Sequence, residues 1–247
     1  MSTKNQIISI LKKPDWSFVM RPIWAKYFFD NIPDGLKTET WRTEKRAFIE
    51  LVQERLETSN IYISPTGVND DDTRKEITKI IIHHSHSDGV VLTQTNSQIL
   101  EQINALQLIR QYGDYFSNPD YSECGKPIYS GHYFHGKQIF IAYHCLVFPD
   151  GEVIQTLEDK YVGWHAKGNN RDSIGICLIG DFTNSRTLKP TTKQIESTKS
   201  LIKKYQNKYP NSEVFGHREL LANHTTCPGT EFLGVNGWKN QLLGLIE

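Results

Sequence analysis

The stretch Ile80-Ile81-Ile82-His83-His84-Ser85-His86 decides the fold. Three β-branched residues in succession, inside a short apolar segment from Ile77 to His83, describe a strand buried on both faces, as in the middle of a sheet. The strand ends in histidines, so polar side chains arrive where a cleft can open. Successive strand side chains alternate between faces, so His83 and His84 are expected to point in opposite directions.

Downstream, Ile99, Ile103, Leu106 and Ile109 recur at helical spacing, which predicts a helix over Thr95 to Gln111. Residues 112–137 mix Gly, Pro, Ser, Asn and Tyr too irregularly for a helix or a strand, and loops of that length are usually functional or mobile. Ile139 to Val147 and Glu152 to Leu157 flank Pro149-Asp150-Gly151, the pattern of a β-hairpin with glycine at its turn. Ser173 to Gly180 is a second buried strand. Thr191 to Tyr209 is a helix, opened by a Thr191-x-x-Gln194 capping box and followed by Pro210. A short strand, Val214 to Gly216, then delivers His217. Strands alternating with helices imply an α/β fold, a central mixed β-sheet flanked by helices.

Upstream the pattern differs. Phe48, Leu51, Val52 and Leu56 lie at helical spacing among charged residues between Trp41 and Glu57, an amphipathic helix. Pro14, Pro22 and Pro33 break the preceding segment, and the polar run Pro65 to Thr73 reads as a linker. The expected organisation is an N-terminal helical region over residues 1–70 and a catalytic domain over 71–247.

Length and charge narrow the function. A chain of 247 residues accommodates one large domain, or a domain of roughly 150 to 180 residues with a smaller attachment. Lys plus Arg, at 28, cancels Asp plus Glu, at 28, so no basic footprint for nucleic acid is expected. No segment approaches a membrane span, and the apolar run Ile7 to Leu11 is too short for a signal-peptide core. Synthesis in the cytoplasm is expected, with any action outside following lysis or non-classical delivery. Cys124, Cys145, Cys177 and Cys227 lack the spacing of a disulfide scaffold and are read as mostly reduced. Cys145 and Cys177 fall on apolar strand positions, as small core residues do.

The candidate chemistry lies at strand ends. His83 closes the first strand, and Gly216-His217-Arg218-Glu219 is followed ten residues after the histidine by Cys227 in Thr225-Thr226-Cys227-Pro228-Gly229. Zinc accepts imidazole and thiolate together, and a catalytic site uses three protein ligands with the fourth position left for water. His83, His217 and Cys227 meet that count. His224 is the rival third ligand; Cys227 is favoured because Pro228-Gly229 can fix a tight turn around it.

At these residues the chain resembles the zinc N-acetylmuramoyl-L-alanine amidases, the family that includes the phage lysozyme-type amidase and the peptidoglycan recognition proteins. The resemblance runs from about Ile77 to Gly234 on four segments in the family's order. They are the first strand with its His83-His84-Ser85; Ala142-Tyr143-His144-Cys145 through Asp150-Gly151; Gly163-Trp164-His165-Ala166-Lys167-Gly168-Asn169-Asn170 with Ser173-Ile174-Gly175-Ile176; and Gly216-His217-Arg218-Glu219 through Cys227-Pro228-Gly229.

The resemblance implies a zinc ion on His83, His217 and Cys227, and a catalytic tyrosine at Tyr143. It puts Thr225 at the position two before the cysteine, where the family carries lysine or threonine. The glutamate of the cytosolic recycling branch falls on Cys177, so the chain looks like the tyrosine-using branch. The implied reaction is hydrolysis of the amide between N-acetylmuramic acid and L-alanine in peptidoglycan. Zinc and a donor from Tyr143 or Thr225 would stabilise the oxyanion, and Tyr143 or His165 would protonate the leaving amine.

Trp164, Lys167 and Asn169 are the expected contacts to peptidoglycan or a muropeptide. Apart from the resemblance, Tyr143 reads as a strand aromatic, His165 as a loop histidine bonded to backbone and Trp164 as a core anchor; Arg218 and Glu219 could orient the metal ligands, and a surface ion pair is the plainer reading. The competing function is a recognition module that binds muropeptides without cutting them. Residues 1–70 are a candidate for docking on a phage, secretion or injection apparatus.

Overall fold

The computed structural model describes residues 37–57, 70–86, 94–108, 130–183, 189–220 and 225–245. Along these the chain forms α1 (Glu39–Glu57), a 3-10 turn (Asp71–Thr73), β1 (Lys79–His84), α2 (Asn96–Gln107), β2 (Tyr133–Phe134), β3 (Lys137–Gln138) and β4 (Cys145–Val147). There follow β5 (Val153–Gln155), β6 (Ser173–Leu178), α3 (Thr192–Lys208), β7 (Glu213–Gly216), α4 (His217–Leu220) and α5 (Trp238–Leu242).

One compact unit takes its residues from positions up to 69 and from 97–141; the other takes 70–96 and 142–247. In the first, α1 buries Trp41, Ile49 and Val52, and Gln53 Nε2 donates to Glu101 at 3.3 Å. The side chains of Phe48, Leu51 and Leu56 lie outside the described residues. Ile99 and Ile103 are the buried face of α2, as their spacing predicts.

The second unit holds a mixed sheet in the order β5-β4-β6-β1-β7. The expected strand of isoleucines is its interior, β1, parallel to β6 on one side and β7 on the other. β4 runs parallel to β6, and β5 pairs antiparallel with β4. Alternation sorts the faces. Ile80 and Ile82 of β1 and Ile174, Ile176 and Leu178 of β6 join Leu201, Ile202 and Tyr205 of α3, with Phe232 and Trp238, in one buried cluster. His83 and Cys177, paired in register, fall on the opposite face.

The capping box forms as the sequence predicts. Thr191 Oγ1 accepts from Gln194 N at 3.1 Å, and Gln194 Oε1 accepts from Thr191 N at 3.1 Å. Gln194 Nε2 also donates to the carbonyls of Val147 and Ile179, fastening the start of α3 to the sheet. Thr191→Ala is therefore expected to cost about 1 kcal/mol, read as a lower urea midpoint at unchanged slope.

Three expectations are corrected. The hairpin strand is only Cys145–Val147, because Ile139 to Ala142 is buried without joining the ladder; Gly151, at φ 90°, closes the turn as expected. Residues 133–137, expected to be irregular, form the β2–β3 hairpin together with Gln138, and its turn residues His135 and Gly136 both have left-handed φ, 48° and 77°. The end of the expected linker is structural. Asp71 Oδ1 accepts from Val162 N at 2.7 Å, and the Arg74 guanidinium donates to the carbonyls of Asp159, Asn170 and Ser173. Pro65 to Asn69 lies outside the described residues. No helix among the described residues is long and apolar enough to cross a membrane.

Candidate metal centre

Three chain segments converge at one end of the sheet. β1 ends on His83 and His84, and β7 runs beside it in register, Ile82 opposite Gly216, so the next residue, His217, arrives next to His83. Their ring centroids are 4.6 Å apart. Cys227 completes the group, its Sγ 3.7 Å from His83 Nδ1. Ligand atoms of His83, His217 and Cys227 all lie within 4.8 Å of one another. The rival ligand His224 lies outside the described residues.

The turn carrying the cysteine is held on both sides. Gly229 N donates to Thr226 O at 2.8 Å, Arg218 N donates to Cys227 O at 2.8 Å, and Arg218 Nη1 donates to Gly229 O at 3.1 Å. Glu219 accepts from Gly216 N at 2.6 Å and pairs with Lys239 at 2.8 Å. Arg218 and Glu219 thus do not form the surface ion pair that their adjacency suggested. Each fixes backbone next to a candidate ligand.

Hydrogen-bond direction fixes which nitrogen of His83 faces the centre. Ser173 Oγ donates to Asn169 O at 2.5 Å, so toward His165 Nε2, 3.4 Å away, it can only accept. His165 therefore carries its proton on Nε2 and presents a lone pair at Nδ1. That lone pair meets His83 Nε2 at 2.9 Å, which must be the donor. His83 Nδ1 is left unprotonated, on the side of Cys227. A metal-binding histidine characteristically has its other ring nitrogen held in this way.

The ring of His165 can lie there because β6 has a glycine beneath it: a Cβ on Gly175 would come within 2.7 Å of the imidazole. His144, a residue the sequence reading gave no role, supports the same floor. Its Nδ1 accepts from Gly175 N at 3.0 Å, so its Nε2 donates to Tyr161 O at 3.1 Å. Asn170 Oδ1 accepts from the backbone N–H of His165 and of Ala166, and so shapes the loop.

Burial keeps the cluster neutral. It pushes His83 well below the usual imidazole range, with His165 and His217 adding to the effect. His165 is lowered by burial and by His144, and His217 by burial. Neutral imidazole is the form that binds metal. The donor set fits zinc, and one atom asks for a partner: His217 Nε2 is buried without a hydrogen-bond partner, a costly state that a cation at the centre would relieve.

Tyr143 is beside the centre, its ring centroid 5.1 Å from that of His83. Burial pushes the Cys177 thiol well up, and Tyr143 opposes that shift. Thr225 Oγ1 accepts from Cys227 N at 3.1 Å, which leaves its own proton to donate. Trp164 is half-buried, Lys167 exposed and Asn169 half-buried, all on the 163–170 loop. Cys145, Cys177 and Cys227 are buried thiols outside any disulfide, and burial lifts Cys145 to about 11.

Two groups of known proteins are similar to this chain, phage endolysins and peptidoglycan-recognition proteins. The endolysin of Escherichia phage T7 is 31% identical over 107 residues, covering 42% of this chain and 68% of that protein. A peptidoglycan-recognition protein of Drosophila melanogaster is 27% identical over 165 residues, 65% of this chain and 74% of its own. Among solved structures, the LysCS endolysin amidase of Clostridium intestinale matches with TM-score 0.49 at 20% identity, covering 74% of this chain and 90% of its own. Drosophila PGRP-LB matches with TM-score 0.45 at 22% identity, covering 68% of this chain and 81% of its own. A family model described as N-acetylmuramoyl-L-alanine amidase matches residues 73–230, well over half of the chain, and the protein belongs to that family.

Proposed function

We propose that the protein is a zinc-dependent amidase that hydrolyses the bond between the lactyl carbonyl of N-acetylmuramic acid and the nitrogen of L-alanine in peptidoglycan. The observation that carries the reading is the convergence of one thiol and two neutral imidazoles, one with an orphaned buried nitrogen, in a chain of the amidase family. His83 through Nδ1, His217 and Cys227 would hold the ion. When bound by three protein ligands, zinc polarises an amide carbonyl and lowers the pKa of water from 15.7 to about 7.

The remaining work falls to this chain's side chains. Hydrolysis adds hydroxide to the carbonyl carbon, breaks the C–N bond and delivers a proton to the alanine nitrogen. The hydroxyls of Tyr143 and Thr225 are the donors for the developing oxyanion. Tyr143 is also the favoured source of the amine's proton, since both ring nitrogens of His165 are engaged, one by His83 and one by Ser173.

His165 then acts as a positioning residue that holds the reactive tautomer of His83. His165→Ala is expected to weaken zinc binding about 10- to 100-fold, measured by competition with a chromophoric chelator. Unchanged affinity would return His165 to the substrate side of the site. Trp164, Lys167 and Asn169 are proposed to contact the muropeptide, and residues 1–70 to dock on a delivery apparatus that brings the protein to the wall. Truncation of that segment would then abolish delivery and leave digestion of isolated wall intact.

Mass spectrometry of sacculi digested by the zinc-loaded protein tests the reaction. Released stem peptides beginning with a free L-alanine amine, and glycan strands keeping the lactyl acid, are expected. Binding of muropeptides with no new amine would instead make the protein a recognition module.

A further inference from the structure

Tyr143 stands on a stretch of chain that the sheet ladder does not hold. β4 begins only at Cys145, and Ile139 to Ala142 is buried without joining it. A hydroxyl that must meet one oxygen in the transition state needs its main chain fixed, because small misplacements are costly in rate. Two contacts fix it here.

The peptide that enters Tyr143 is backed by the start of the 163–170 loop: a Cβ on Gly163 would collide with Ala142 O, so only glycine lets the loop lie so close. The carbonyl that leaves Tyr143 is met by a side chain. Thr156 Oγ1 donates to Tyr143 O at 2.7 Å, while the other carbonyl in its reach, His144 O, is 3.5 Å away. Thr156 is itself pinned. It follows directly on β5, whose Gln155 pairs with Cys145, and its own N–H donates to His144 O at 2.9 Å. At 3% exposure it sits where water does not readily replace it. A buried hydroxyl thus does for Tyr143 what a ladder rung does inside a strand.

We propose, on the reading that Tyr143 donates to the oxyanion, that Thr156 is a positioning residue of the amidase step. Its hydroxyl holds the Tyr143 main chain so that the phenol meets the developing charge, and it acts through Tyr143 alone. A bond that served folding only would lower stability and leave kcat of the folded enzyme where it was.

The test is a double-mutant cycle on kcat per bound zinc, with a muramyl-peptide as substrate. Thr156→Val keeps the side-chain shape and removes the donor, and kcat is expected to fall about 10- to 100-fold with KM and zinc content little changed. Thr156→Ser keeps the hydroxyl and is expected to restore most of the rate. In the Tyr143→Phe background, Thr156→Val is expected to add less than about a twofold loss, since the group it positions is already gone. Thr156→Ala is the second variant should valine fail to fold, with the same fall expected. Unchanged kcat in the folded valine or alanine variant, a Thr156→Ser as slow as Thr156→Val, or a full further loss on top of Tyr143→Phe overturns the proposal. Failure of the underlying reading looks different: Tyr143→Phe itself then turns over at the wild-type rate, and the role of Thr156 falls with it.

Discussion

Cys227→Ser is expected to abolish bound zinc at the centre and to lower turnover of a muramyl-peptide by at least about four orders of magnitude. The size follows from the chemistry the ion supplies: without it, water returns toward a pKa of 15.7, and hydroxide at neutral pH becomes scarcer by far more than that factor. Serine is the informative replacement because Cys227 Sγ also accepts from His84 N at 3.4 Å, and a hydroxyl can keep that bond. A chelator should reproduce the loss in the wild-type chain, and added zinc should reverse it there and not in the variant. Turnover that survives complete removal of zinc would contradict the reading.

Tyr143→Phe is expected to lower kcat about 100- to 1,000-fold, the usual cost of one oxyanion donor, with zinc content and KM little changed. The phenyl ring keeps the packing beside His83, so only the hydroxyl is lost. Single-turnover kinetics on a muramyl-peptide separate the chemical step from substrate binding. A tenfold rise in KM at constant kcat would mean that Tyr143 binds substrate and takes no part in the step.

The parts of this molecule that could be read beforehand are those written in local periodicity. Ile80 to His83 announced a buried strand ending in a candidate ligand, Thr191 and Gln194 announced a helix start, and Pro228-Gly229 announced the turn around Cys227. Alternation separated His83 from His84, and the two do lie among different neighbours, His83 with His217 and Cys227 and His84 with His86 and Asp181. The boundaries of β4 were not legible, because an alternating apolar segment looks the same whether it is laddered or merely buried.

The β2–β3 hairpin was missed since its turn is His135-Gly136 and lacks the usual Asn-Gly or Asp-Gly signal. Arg74 was hidden at the edge of a polar stretch that reads as linker. The relay from Ser173 through His165 to His83 joins residues 82 positions apart and depends on who donates to whom, which no spacing encodes. Gly175 marks that place in the sequence, yet its reason, the ring lying over it, exists only in three dimensions.

X-ray absorption at the zinc edge, on protein loaded with a single equivalent of the ion, addresses the centre itself. One sulfur scatterer at about 2.3 Å and two imidazole nitrogens at about 2.0 to 2.1 Å, with one further light atom completing four, is the expected shell. A shell of nitrogen and oxygen alone, with no sulfur, would place the ion elsewhere and contradict the assignment of His83, His217 and Cys227.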